Sequence, residues 1–208
     1  MFKLWSFAYL TICILISDAS YAAELPWKLE QSQSGYTLYS QKPPQSKFLR
    51  LKAKIQLDVP MTSVLDQFGE GDECWRWQHR CKRTKIIEQV SESEKIVHVV
   101  IDMPWPLKDR EFFIQSTMQS NQDNSKVSLT LTPAAQQTST GKYVLGQVDN
   151  LYLLTKQAND QTHLTIIRHT EFGGTVSAKV INARLVDEFQ QDVASLIKLV
   201  KATNVSAN

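Results

Sequence analysis

The residues best placed to do chemistry are Asp109, Arg110 and Glu111, a guanidinium set between two carboxylates. Two carboxylates this close could share general acid and base work. The arginine between them points instead to ion pairing. Arg110 then serves as a clamp that fixes a turn, with a ligand or gate contact as its other reading. The four histidines, His79, His98, His163 and His169, are scattered. His163 and His169 share one face of a predicted strand but stand about 20 Å apart by strand rise, too far to hold one metal. Each histidine is read as a surface residue or a satisfied pocket residue. His98, Tyr152 and Arg168 show no paired spacing. The chain has no Gly-x-Ser-x-Gly elbow, no phosphate-binding glycine loop and no His-Glu-x-x-His. No catalytic residue, cofactor or metal is expected.

Three cysteines are present. Cys13 falls in an apolar N-terminal run, which leaves Cys74 and Cys81. An even pair in an oxidising compartment suggests one disulfide. It would close a loop holding Trp75, Arg76, Trp77, Gln78, His79 and Arg80. Two separate thiols are the alternative. A zinc site using His79 would need two further ligands, and none stands at a sensible spacing.

The N-terminus reads as a cleavable signal peptide over 1–22. Lys3 supplies the positive start, 4–16 is almost wholly apolar, and Ser20-Tyr21-Ala22 offers small residues at −3 and −1. The cut is expected after Ala22, with Ala23 as the second choice. A permanent anchor would need roughly 20 apolar residues, and this run has about a dozen. The remaining chain of about 185 residues suits one domain with a sizeable core, placed at 23–203 and followed by a frayed tail at 204–208. The formal net charge is +2 with both signs interspersed, which argues against nucleic acid. The basic stretch 76–85 reads as a solvated face, with anionic lipid headgroups as its alternative contact.

The elements that must position these residues are mostly strands. In 48–58, Leu49, Leu51, Ala53, Ile55 and Leu57 fall on one face, and Phe48, Arg50, Lys52, Lys54 and Gln56 on the other. Such alternation is a strand with one dry and one wet face. Strand-like runs recur at 27–31, 36–40, 85–90, 95–103, 112–119, 126–131, 143–156 and 163–172. Ser34-Gly35, 121–124 and Asn159-Asp160 are natural hairpin tips, so the strands form an antiparallel meander. A short helix is expected over 61–68, breaking at Gly69 or Gly71. A long one places Leu185, Val186, Phe189, Val193, Leu196, Ile197 and Val200 on one side. Arg184, Asp187, Glu188, Gln191, Asp192 and Lys198 fall mainly opposite, and Ser177 is a plausible N-cap. The loop 133–142 reads as a surface connection. The long helix must cover the inner face of the sheet, and a curved sheet wrapped on one helix can leave an interior space for apolar ligands.

The order of these landmarks resembles the START domain family (StAR-related lipid transfer) of the Bet v 1-like, or SRPBCC, helix-grip superfamily. Trp75 follows the short helix, and Lys95-Ile96-Val97-His98 opens the next strand. The segment Pro104-Trp105-Pro106-Leu107-Lys108-Asp109-Arg110-Glu111-Phe112 is similar to the family's proline-containing turn followed by Arg-Asp-Phe. Glu171-Phe172-Gly173-Gly174-Thr175-Val176 is similar to its Asp-x-Gly-Gly-x-Ile-Pro, and Ile181-Asn182 to the asparagine that follows. Glu111 and Glu171 replace aspartates, Ser177 a proline, and Lys179 a frequent tryptophan. Sterol-binding members carry a buried acid–base pair. The strand 112–117 offers no second arginine for one, which argues against sterol specificity and leaves a ligand's polar group to hydroxyls and amides.

The resemblance implies an α+β helix-grip fold, a curved antiparallel β-sheet wrapped around a long C-terminal α-helix with an internal hydrophobic cavity. It implies an exported carrier or sensor that holds a lipid or other hydrophobic small molecule. Trp75, Trp105, Arg110, Phe113, Tyr152, Phe172, Phe189 and Val193 are the candidate cavity or gate residues, with Trp75 and Trp105 also readable as core anchors. The gate is expected at 141–150 and 172–177. A monomer in the bacterial periplasm is expected, with transient membrane contact. A helix-grip enzyme of cyclase or hydrolase type, or an interaction domain with a filled core, are the alternatives.

Overall fold

The alternating runs become strands in this computed structural model, which describes residues 25–69, 74–136 and 139–207. The expected leader, 1–22, lies outside the described residues. In chain order the strands are β1 (Lys28–Gln33), β2 (Tyr36–Gln41), β3 (Arg50–Leu57), β4 (Cys81–Ser91), β5 (Glu94–Ile101), β6 (Arg110–Ser120), β7 (Lys126–Pro133), β8 (Val144–Leu145), β9 (Gln147–Lys156) and β10 (Thr162–Glu171). Helix α1 (Met61–Gly69) follows β3, and α2 (Ala178–Ala207) ends the described chain. The last helix runs on through 204–207, the stretch expected to fray.

All strands belong to one sheet of order β1-β2-β3-β10-β9-β7-β6-β5-β4, with β8 paired in parallel to β6. The arrangement departs from a simple meander at one place. After β3 the chain crosses by way of α1 to the far edge, starts again at β4, and returns strand by strand until β10 closes against β3. Local turn chemistry shows each hairpin but not this long-range pairing. The expected tips are in place. Gly35, Asn124, Asn159 and Asp160 all have positive φ, a region that Gly, Asn and Asp tolerate.

On β3 the dry face is as the alternation predicts: Leu51, Ala53, Ile55 and Leu57 are buried. Phe48 is a correction. It precedes the strand, so the alternation does not govern it, and it is buried against Met103, Phe172, Val176 and Ile181. Its ring meets that of Phe172 edge-on at 5.0 Å.

Helix α2 lies on the concave inner face. Phe189, Val193, Leu196 and Val200 are buried with Leu38, Ile55, Leu154, Leu164 and Ile166 of the sheet. Each such aliphatic side chain contributes about 1.5–3 kcal/mol by leaving water. Ser177 stands just before the first helical residue, and its carbonyl accepts the Ile181 N–H at 3.1 Å. Asp192 is a second correction. It is buried, on the same stripe as Phe189 and Leu196, three residues after one and four before the other.

Two glycines make close approaches. A Cβ on Gly146 would stand 2.5 Å from the Phe112 ring and 2.8 Å from the Glu171 carbonyl oxygen. Gly173 has φ +61°, and its Cβ would meet the Leu145 carbonyl oxygen at 2.0 Å. The segments that carry them are therefore tightly packed against one another and against β6.

Candidate ligand cavity

A cavity of about 250 Å³ lies between the inner face of the sheet and α2. Alternation decides which side chains reach it. On β6 the inward positions are Phe112, Ile114 and Ser116; on β7, Leu129 and Leu131; on β9, Val148, Asn150 and Tyr152. Helix α2 contributes Leu185, Glu188, Phe189 and Asp192, and α1 contributes Phe68. Rings crowd one end. Tyr152 lies 5.1 Å from Phe68 and 6.4 Å from Trp77 between centroids.

The polar side of the cavity is a charge cluster centred on buried Asp192. Arg168 occupies an inward position of β10, on the face of Leu164 and Ile166. Its Nη1 donates to Asp192 Oδ2 at 2.7 Å. Asp192 Oδ1 accepts from the His79 backbone N–H at 3.1 Å and from His79 Nδ1 at 2.7 Å. The Arg168 guanidinium lies over the Trp77 ring at 4.9 Å and the Phe189 ring at 5.2 Å. Its other terminal nitrogen, Nη2, is buried, and the Tyr152 side chain lies beside the guanidinium.

The electrostatics follow from these contacts. Burial alone would raise the Asp192 pKa, but the His79 hydrogen bond and Arg168 outweigh it, so the carboxyl sits below its usual range. The Asp192 hydrogen bond raises the His79 pKa against the opposing effect of burial. One short loop places His79 here. Trp77 and Gln78 donate back to the Cys74 carbonyl, Cys81 donates to Gln78, and Cys74 and Cys81 are joined as a disulfide with Cα atoms 5.9 Å apart.

The site residues expected from sequence divide clearly. Tyr152, Phe172 and Phe189 line the cavity. Val193 is buried one layer away, in the core. Trp75 and Trp105 are neither core anchors nor cavity residues: they are 59% and 92% exposed. The buried indole is Trp77, two residues on. Phe113 is on the opposite face from the cavity and stacks on His98 at 4.7 Å, because strand parity turns Phe112 inward.

Arg110 is the clamp, but its partners are not carboxylates. Its Nε donates to the Phe172 carbonyl at 2.9 Å, and Nη1 donates to the Lys108 carbonyl. Asp109 is engaged by Lys82 and by the Met103 N–H. Glu111, fully buried, accepts from Ser139 Oγ, Thr140 N and Thr140 Oγ1, each at 2.9 Å, and from His98 Nε2 at 3.0 Å. An ionised carboxylate can only accept, so the His98 ring nitrogen must carry the hydrogen. The loop before β8, expected to be a surface connection, thus covers a buried acid.

Sequence reasoning missed that His79, Arg168 and Asp192 meet, with Trp77 against the guanidinium. One signal was legible. Arg168 falls in the dry-face parity of β10, and Asp192 falls on the apolar spacing of α2. Tyr152 and Arg168, read as scattered, are brought together by the pairing of β9 with β10, while His98 stands apart with Glu111 and Phe113. An acid–base pair, not expected on the strand 112–117, does line the cavity, formed by Arg168 of β10 and Asp192 of α2.

A curved sheet gripping one long helix over an interior cavity defines the helix-grip class. The START domain family model matches residues 12–199, and the chain belongs to that family. It is similar to an uncharacterized protein of Pseudomonas aeruginosa, 25% identical over 164 residues, which cover 77% of this chain and 80% of that one. Among solved structures, it resembles a STAR-related lipid transfer protein from Xanthomonas axonopodis, with a TM-score of 0.74 and 16% identity over 84% of this chain and 98% of that chain. It also resembles human StAR-related lipid transfer protein 5, with a TM-score of 0.76 and 15% identity over 85% and 87% of the two chains. At these identities the structural likeness speaks to the fold.

Proposed function

We propose that this START domain binds one lipid or other hydrophobic small molecule in the cavity under α2, as a carrier or sensor. The observation that carries the reading is the cavity itself, about 250 Å³ and walled mainly by apolar side chains of β6, β7, β9 and α2. Removing a ligand's apolar surface from water would drive binding at about 25 cal/mol per Å². The lipid transfer proteins it resembles in fold agree with this reading.

Export to the bacterial periplasm, with cleavage after Ala22, is part of the same proposal. The leader pattern and the Cys74–Cys81 disulfide support it. The segments 141–150 and 172–177 are the proposed gate. Gly146 and Gly173 act there by permitting contact, so opening has to separate 173 from Leu145. Exposed Trp75 and Trp105 suit transient contact with a membrane surface, where indole rings are favoured.

The test is native mass spectrometry of the exported protein, followed by solvent extraction. A one-to-one complex with a hydrophobic small molecule is expected, on a chain beginning at Ala23. A protein that carries none and takes up none from mixed lipid vesicles would overturn the binding reading. A chain retaining residues 1–22 would overturn the leader.

A further inference from the structure

Resting on the reading of this cavity as a lipid site, we propose that the Cys74–Cys81 loop is a flap over a second entrance to it, at the side of the fold between α2 and the edge strand β4. The argument begins with where the sheet stops. Strand β4 ends the sheet, paired with β5. Helix α2 lies across the concave face, so a seam runs between it and the β4 edge. The loop spans that seam. Its last residue, Cys81, opens β4, while His79 and Arg80 reach α2 through Asp192 and Glu188. Every residue of 74–81 except Trp75 lines the cavity. Arg76 and His79 line it and are also exposed to solvent. Residues that meet both interior and solvent mark a rim, so the thickness of this one loop separates the cavity from water here.

The loop is built to move as one piece. Cys74 and Cys81 are joined. The Trp77 and Gln78 N–H groups donate to the Cys74 carbonyl at 3.4 and 2.8 Å, and the Cys81 N–H donates to the Gln78 carbonyl at 2.9 Å. Lifting the loop leaves these bonds made, so its backbone pays little for opening. Its base is tied to β4 and β5. The Asp102 N–H donates to the Arg80 carbonyl at 2.8 Å, and the Thr84 hydroxyl stands beside both sulfurs. That base is the hinge.

What holds the tip shut is a short set of contacts. The His79 backbone N–H and ring both meet the Asp192 carboxylate, and Arg80 donates to Glu188. Both ion pairs are partly exposed, and pairs of that kind break and re-form at small cost. Trp77 is the stopper. Its ring packs edge-on against Phe68 and Tyr152, at 5.9 and 6.4 Å between centroids. Withdrawing it opens the wall where those rings crowd. Because an indole must leave the core, the shut state is the resting one, and opening sets the pace of exchange.

The experiment follows cis-parinaric acid, a linear fluorescent fatty acid, by stopped flow. Its entry into the delipidated, disulfide-intact protein and its exit to phosphatidylcholine vesicles are timed separately. In His79→Ala/Arg80→Gln, which frees both side-chain latches, entry and exit are each expected to be at least about fivefold faster. Reduction of the wild-type disulfide by dithiothreitol is expected to speed both by about tenfold, through loss of the loop's cross-link. A residue that only touches the ligand changes exit alone, whereas a flap changes both directions. The amide of residue 79 is expected to lose hydrogen-exchange protection in the double variant while β10 keeps its own, which separates a local opening from loosening of the whole fold. The double variant keeps the disulfide and carries the test if reduction unfolds the protein. Faster exit without faster entry, unaltered rates in both directions, or an equal loss of protection in β10 would overturn the flap and leave the lipid site standing. No uptake of cis-parinaric acid, with no lipid extracted from the exported protein, would overturn the lipid reading itself.

Discussion

Two buried charges on opposite faces of the same sheet make a useful contrast. Glu111, on the outer side of β6, is closed off: three donors from Ser139 and Thr140 and one from His98 take up its two oxygens. Arg168, on the inner side of β10, is held by Asp192 on one nitrogen and packs on the Trp77 and Phe189 rings, with the Tyr152 side chain beside it. The difference separates a fastening made of hydrogen bonds to a loop from a charge pair packed among rings at a cavity wall. A carboxylate whose acceptor sites are filled has nothing to offer a ligand and ties a loop to the sheet. A guanidinium paired with one carboxylate and packed on rings sets the polarity of its side of the cavity. Burial of charge alone does not distinguish the two; the count of satisfied hydrogen bonds does.

The largest effect that would break this contrast is expected from Glu111→Ala. It leaves the Thr140 amide, two hydroxyls and His98 without their acceptor. A loss of about 3–5 kcal/mol is expected, read by chemical denaturation, with faster hydrogen exchange at the Thr140 amide. A loss below 1 kcal/mol would mean that the loop is not fastened by this acid.

An intermediate effect is expected from pH, acting on the inner cluster. The folded-state pKa of Asp192 is depressed, so its contribution is present above the ordinary carboxylate range and is lost as pH falls through its lower, folded value. The folded-state pKa of His79 is raised, so its contribution is fully present below about 6.5 and is lost as pH rises through the raised value. The pair is therefore most stabilising from roughly pH 4 to 6.5. Thermal unfolding across pH 4–9 should show a fall in Tm on the alkaline side that is reduced in His79→Gln. An identical alkaline profile in the variant would remove His79 from the account.

The smallest effect is expected at the exposed indole. Trp105→Ser should change stability by no more than about 0.5 kcal/mol, since the ring is 92% exposed. The same variant should bind less to anionic vesicles in a flotation assay if the ring contacts membranes. Unaltered flotation would dismiss it as a membrane contact.

Much of the architecture was legible because it is local. Alternation located β3, turn residues located the hairpin tips, and three- and four-residue spacing located α2. The family landmarks were legible as an ordered set. The candidate site was legible only in part. Tyr152, Phe172 and Phe189 were found because large apolar residues on the inner elements have few other places to go. Trp75, Trp105 and Phe113 were misplaced because residue type does not report strand parity or which end of a turn faces outward. A one-residue change of phase moves a side chain to the other face.

The amino-acid sequence by itself determined the element types, the helix-grip class and the apolar character of the interior. These follow from short-range periodicity and from the need to bury one face of the sheet and one stripe of the helix. The tertiary structure decided which charges meet. His79 comes from a loop before β4, Arg168 from β10 and Asp192 from α2, residues far apart in the chain that no spacing rule connects. Only the return of β10 against β9, and the seating of α2 across the concave face, bring His79 and Arg168 each within 3.1 Å of an Asp192 oxygen.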